Sequence, residues 1–241
     1  MEWAIEPGEY SEGAGIDVRT LRRYQNHAIQ RLTQQLIQAE LDLRQTHQER
    51  HLRAALPAAV PPRLFGRERE YTWLLRPRQP QHVQISGPAG CGKTSLIEAV
   101  LHQEIANRRY DRVIWLKAPD SLAQLRAALR PPYERLVLVV DEGEALRGAT
   151  GQLTALLAEL GQSSVYLIHP TYLPLGTETA HLALTGLAYP AIVAWVAAVR
   201  QRHLSENVFM PDAQTLNQLW QASAGNPAEL QRQLYALWYA V

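Results

Sequence analysis

The chain has 241 residues, enough for one large domain or for one domain with an appendage. Hydrophobic residues make up 46% and charged residues 20%, an ordinary balance for a globular protein. The formal net charge is +1, so the chain is not a polycation, and any nucleic-acid contact would need a local patch.

Residues 1–15, "MEWAIEPGEYSEGAG", are acidic, contain glycine and lack an apolar core. They read as a loose tail and not as a signal peptide. Residues 16–56 are rich in Arg, Gln and Leu, and Val18, Leu21, Ala28, Leu32, Leu36, Ile37, Leu41 and Leu43 recur close to a helical period. The predicted helix would be roughly 60 Å long at about 1.5 Å per residue, more than a compact domain requires. Its segment 17–56 carries seven arginines against four acids, with Tyr24 its one aromatic residue. That composition is open to three readings: a helix on nucleic acid, a coiled-coil arm for a partner, or a helix packed on its own core. "LPAAVPPRLFG" (56–66) then breaks the helix with three prolines.

From Arg63 the texture alternates. Strands are expected at 82–86, 112–118, 135–142, 164–170 and 181–187, with helices at 94–108, 121–129 and 151–161. The near-continuous apolar run "RLVLVV" fits a strand buried on both faces of a parallel sheet. Residues 189–203, 212–223 and 226–240 read as three helices without strands. The expected division is a tail (1–15), a helical arm (16–60), an α/β core (61–188) and a helical lid (189–241). The most apolar run, near "LALTGLAYPAIVAWVAAV", is interrupted by Gly, Pro, Thr and Tyr and is too short in its helical part to span a bilayer. A cytoplasmic protein with no membrane contact is the expectation.

Residues Gly87-Pro88-Ala89-Gly90-Cys91-Gly92-Lys93-Thr94, followed by Ser95, fit G-x-x-x-x-G-K-[ST] directly between a strand and a helix. Glycines let the backbone wrap phosphate oxygens, and successive N–H groups with the helix N-terminus supply positive potential. Lys93 would reach the β- and γ-phosphates and act in catalysis, while Thr94 would put its hydroxyl on Mg²⁺. Cys91, the single cysteine, occupies a wildcard position; one cysteine forms no internal disulfide and fits a reducing compartment. In "LVLVVDEGEAL", Asp141 ends the buried strand and would bind the metal, and Glu142 would orient or deprotonate the attacking water. Glu144 is a second candidate for that role. The cofactors implied are ATP or ADP with Mg²⁺.

With these motifs placed, the chain resembles the AAA+ superfamily, especially its STAND branch (NB-ARC and NACHT-like switches) and the origin-recognition-like helper ATPases. "RLFGRERE" (63–70) looks like the segment before the first helix of such proteins, and the resemblance sets the backbone beside Phe65, Gly66 and Arg67 along the adenine. "RVIWLKAPDSLAQLRAAL" (112–129) is similar to the second strand and helix of NB-ARC domains. "LTGLAYPAIVAWV" (184–196) looks like the last strand running into the lid. "SAGNPAEL" (223–230) resembles the G-x-P lid motif, which implies that Pro227 approaches the nucleotide. The resemblance covers roughly residues 62–241.

Departures from the pattern bear on turnover. Residues 148–199 contain no Arg and no Lys, so the usual arginine finger is absent from its usual slot; such a finger is worth about 10³–10⁵ in rate where it acts. His169 and Thr171 stand where a γ-phosphate sensor is expected. Arg232 is the nearest substitute for the lid arginine, whose place falls near Ala228. Arg67, Arg147 or Arg200 would have to act across an interface. The expectation is a slowly hydrolysing switch that forms a homo-oligomer or recruits a protein partner through the N-terminal arm. Alternatives are a nucleic-acid-binding helper ATPase and a subunit that binds nucleotide without turnover.

Overall fold

The computed structural model describes residues 17–76, 82–161, 163–176, 179–202 and 210–239. The expected tail (1–15) lies outside the described residues. Contacts divide the chain into two units, residues 1–50 and 51–241.

Helix α1 (Val18–Ala54) is the described part of the first unit and runs into the second. It ends two residues short of the expected Leu56, because Pro57 drives the preceding residue out of helical geometry. Ala55 and Leu56 close the end with short-range bonds, their N–H groups donating to the Leu52 and Arg53 carbonyls. Along it Ile29, Leu32, Leu36 and Leu43 are exposed.

The second unit is built on a parallel sheet of five strands: β1 (His82–Ser86), β2 (Arg112–Lys117), β3 (Leu136–Asp141), β4 (Ser164–His169) and β5 (Thr179–Ala183). Their spatial order is β2-β3-β4-β1-β5, and every pairing is parallel. Helices α2 (Glu68–Leu75), α3 (Lys93–Ala106), α4 (Leu122–Ala128) and α5 (Thr150–Leu160) cover the two faces, as parallel sheets require. Strand β3 shows the arrangement residue by residue. Val137 and Val139 join the apolar cluster under α3, whereas Leu136, Leu138 and Val140 join the cluster under α4 and α5. A run that reads as uniformly apolar therefore still alternates in space.

Four strands lie within a residue of expectation, but β5 does not. It occupies Thr179–Ala183 instead of 181–187. Its ladder is set by β1, which ends at Ser86 opposite Ala183. The Leu184 N–H donates to the Ser86 carbonyl at 2.7 Å, and the next residue, Gly87, turns its N–H to the Pro170 carbonyl. Residues 185–187 turn into the lid instead. A Cβ on Gly186 would stand 2.0 Å from the Ala224 carbonyl oxygen, and the Leu187 N–H donates to Gly225 O at 2.7 Å.

The lid comprises α6 (Tyr189–Arg202), α7 (Ala213–Ala222) and α8 (Pro227–Tyr239). They close a core of their own, in which Ile192, Val196, Leu216, Leu230 and Leu234 are buried. Asp212 caps α7, its carboxylate accepting from the Thr215 N–H at 2.7 Å. No helix among the described residues is long and apolar enough to cross a membrane.

Candidate functional site

The strand register sets four polar residues side by side at the carboxyl edge of the sheet. Ser86 lies opposite His169, Asp141 opposite Ile168, and Lys117 opposite Asp141. This is the edge where ligands of open α/β sheets bind. The glycine loop leaves β1 there and feeds α3, whose first residue is Lys93.

A cavity of about 460 Å³ opens at this edge. The core contributes Ala89, Gly90, Gly92, Lys93, Thr94, Ser95, Asp141, Glu142, Glu144, Ile168, His169 and Pro170 to its wall; the lid contributes Trp195, Pro227, Ala228 and Gln231. The Lys93 ammonium lies folded on its own loop, donating to the Gly87 and Pro88 carbonyls at 2.7 and 2.9 Å. The Thr94 hydroxyl donates to Asp141 Oδ2 at 3.0 Å. Asp141 is 3% exposed, and burial lifts its carboxyl above the usual range; the Thr94 bond opposes that rise and the Glu142 charge adds to it. Glu142 holds φ at +56°, a left-handed conformation that is unusual for a side chain of this kind. Its carboxylate meets the Lys117 ammonium at 3.5 Å, and both groups are largely exposed.

His169 ends β4 with its ring buried and its Nε2 without a hydrogen-bond partner. Burial, with the charges of Arg147 and Lys93, pushes its pKa down to about 4, so the ring is neutral at pH 7. Thr171 accepts a hydrogen bond from the Arg147 guanidinium. Arg232 bonds Glu229 at 2.6 Å on the exposed flank of α8, and the neighbouring Gln231, not Arg232, lines the cavity.

The remaining expected residues divide by position. Cys91 is 1% exposed, and its sulfur lies against the loop near Gly87. Phe65 lines a second cavity, of about 310 Å³, together with Pro61, Pro62, Trp195, Ala198 and Val199. Trp195 lines both cavities and links them. Gly66 packs on the lid, where an added Cβ would come within 2.5 Å of the Ala191 Cβ. Arg67 is 5% exposed: it donates to the Cys91 carbonyl at 3.0 Å and to the Thr185 carbonyl, and it pairs with Glu70 at 3.3 Å. Its guanidinium is thereby committed inside the chain and ties the loop to the start of the lid.

Trp195, Gln231 and Asn226 are the residues sequence reasoning missed. Asn226 carries the one local signal, an Asn directly before the Pro that opens a helix. Its side-chain oxygen accepts from the Ala228 and Glu229 N–H groups at 3.1 and 3.4 Å.

Domain III of the Thermotoga maritima replication initiation protein DnaA superposes on this architecture. Its TM-score is 0.51 at 17% identity over 71% of this chain and 82% of that one. A DNA replication initiation factor superposes with the same TM-score at 15% identity, over 71% of this chain and 60% of that chain. The fold is that of the AAA+ P-loop ATPases. Within this AAA+ fold, residues 67–129 match the NB-ARC domain family. A STAND protein with a tetratricopeptide-repeat sensor from Pyrococcus horikoshii is also similar, at 18% identity and TM-score 0.48 over 70% of this chain and 30% of that one. No curated protein sequence matches the chain.

Proposed function

We propose that the chain is a nucleotide-driven switch: it binds ATP with Mg²⁺ in the cavity between core and lid, hydrolyses it slowly, and couples the bound state to self-assembly or to a protein partner. The observation that carries this reading is the shared wall of the cavity. One set of groups comes from the glycine loop and β3, the other from α6 and α8 of the lid. A nucleotide seated there contacts both bodies, which gives it the differential contacts that any ligand-driven switch needs.

Lys93 would leave its loop carbonyls for the β- and γ-phosphate oxygens. Thr94 and Asp141 would hold Mg²⁺; a hydroxyl and a carboxylate sharing one position suit that hard cation, which keeps its remaining sites for water and phosphate. Bound there, the cation would neutralise developing phosphate charge. Glu142 would take the proton from the attacking water once its carboxylate is free of Lys117. His169, neutral and in the cavity wall, is the sensor candidate we favour, since Thr171 is engaged by Arg147 and Arg232 by Glu229, and neither lines the cavity. Phe65 and Trp195 would flank the base. The absence of Arg and Lys from 148–199 supports slow turnover.

Phosphate release beside Lys93→Ala and Glu142→Gln variants tests the enzyme reading. Lys93→Ala is expected to lose ATP binding, and Glu142→Gln to bind ATP but release little phosphate. Equal background release from all three proteins would instead favour a subunit that holds nucleotide without turnover. Chain mass measured with ADP and with a non-hydrolysable ATP analogue tests the switch: an increase with the analogue alone is expected.

A DNA-bound helper ATPase is the second reading. Arg19, Arg22, Arg23 and Arg31 on α1 favour it, as do the replication-initiation proteins that share the fold. ATP-dependent, salt-sensitive retention on DNA would support it, and no retention at low salt would remove it.

A further inference from the structure

We infer that Asn226 is a positioning residue that latches the lid onto the phosphate loop, so that the loop's cradle shape depends on the lid being docked. The inference rests on the nucleotide-binding reading only for its consequence, faster nucleotide release; the latch itself is independent of any ligand.

The two ends of one carboxamide do different work. Asn226 Oδ1 accepts from the Ala228 and Glu229 N–H groups and so caps α8. Asn226 Nδ2 donates to the Ala89 carbonyl at 2.7 Å, across 137 residues of chain. A flipped amide would face N–H groups with its NH₂ and a carbonyl with its oxygen, so the network permits one orientation. A second bond runs beside it, from the Ala228 N–H to the Gly90 carbonyl at 3.4 Å. Steric fit completes the contact: a Cβ on Gly90 would stand 2.5 Å from the Ala228 Cβ and 2.9 Å from Asn226 Oδ1. The tip of the loop, residues 89–90, is thus held by the helix start of the lid, while Arg67 holds the loop at Cys91.

The cap and the latch can be separated chemically. Asp and Ser cap helices about as well as Asn, but an Asp carboxylate has no hydrogen to donate, and a Ser hydroxyl is one atom shorter than the carboxamide and is itself taken up by the cap. Asn226→Asp and Asn226→Ser are therefore expected to lower the melting temperature by no more than about 4 °C, the loss of one hydrogen bond with the cap retained. Two readouts on the full chain then decide. One is amide hydrogen exchange of residues 89–93 in the nucleotide-free protein, and the other is the release rate of a fluorescent ATP analogue. Both are expected to speed up by about three- to tenfold in both variants, the effect of losing one hydrogen bond. Unchanged exchange and release in both variants would overturn the latch, and so would a fall in melting temperature without faster loop exchange, which marks a capping role alone. A wild-type chain that binds no analogue, yet whose loop exchange still responds to the variants, upholds the latch and contradicts the nucleotide reading.

Discussion

His169 is a neutral ring enclosed where charge would be costly, and its pH dependence follows directly. Its pKa in the folded chain is about 4, below the ordinary value near 6.5. Between those values the unfolded chain binds a proton that the folded one does not, so stability falls as pH drops from about 6.5 to about 4 and is flat below. His169→Gln should remove up to about 3 kcal/mol of that acid loss. Urea midpoints at pH 7.5 and 4.5 check it; a variant with the wild-type pH slope would remove the assignment. His102 is shifted in the same direction by its own burial, so part of the acid limb should remain.

Gly90 and Gly92 give a second residue-scale contrast. Both hold positive φ, at +78° and +95°, so an alanine at either strains the backbone by about 1–2 kcal/mol. Only at Gly90 would an added Cβ meet the lid, 2.5 Å from the Ala228 Cβ; the space beside Gly92 is open. Gly90→Ala is therefore expected to lower the melting temperature by about 2–4 °C more than Gly92→Ala does, as read by thermal unfolding without nucleotide. The glycine loop and the Asp141-Glu142 pair were legible beforehand because each is a local motif whose frame, strand to loop to helix, is also local. Trp195 and Gln231 were not, since a helical residue gains a role in the cavity only when the lid docks, and no short pattern encodes that docking.

At the scale of elements, the resemblance covers residues 63–70 and names no helix at Glu68–Leu75, because eight residues with one buried leucine leave little periodicity to detect. Strand β5 was placed too late for a different reason: Leu182, Leu184 and Leu187 continue an apolar pattern past the point where β1 ends. The strands β1 to β4 were legible because runs such as Leu136–Val140 are buried on both faces. Arg67 joins three elements at once, α2, the glycine loop and the start of the lid. Arg67→Ala leaves the Cys91 and Thr185 carbonyls without their charged donor and should cost about 3 kcal/mol of stability, measured by urea unfolding. A loss below about 1 kcal/mol would contradict that tie. Lys117→Ala should behave in the opposite way. The exposed pair with Glu142 contributes little stability, so the melting temperature should hold while phosphate release changes severalfold.

Among the described residues an α/β core and a small helical lid share the wall of a cavity, and a long helix precedes them in the chain. Periodicity revealed that helix, but a stripe of apolar residues looks the same whether it meets a core, a partner or a second copy. Exposed Ile29, Leu32, Leu36 and Leu43 are the residues to change in a test of assembly. Replacing the four with Ser should abolish any analogue-dependent rise in mass while leaving ATP binding intact. That the cavity between core and lid takes a nucleoside triphosphate, as we propose, is tested most directly by calorimetric titration of ATP with Mg²⁺ into the full chain. The expected result is one site per chain that is lost in Lys93→Ala; no binding heat, or equal binding by wild type and Lys93→Ala, would contradict it.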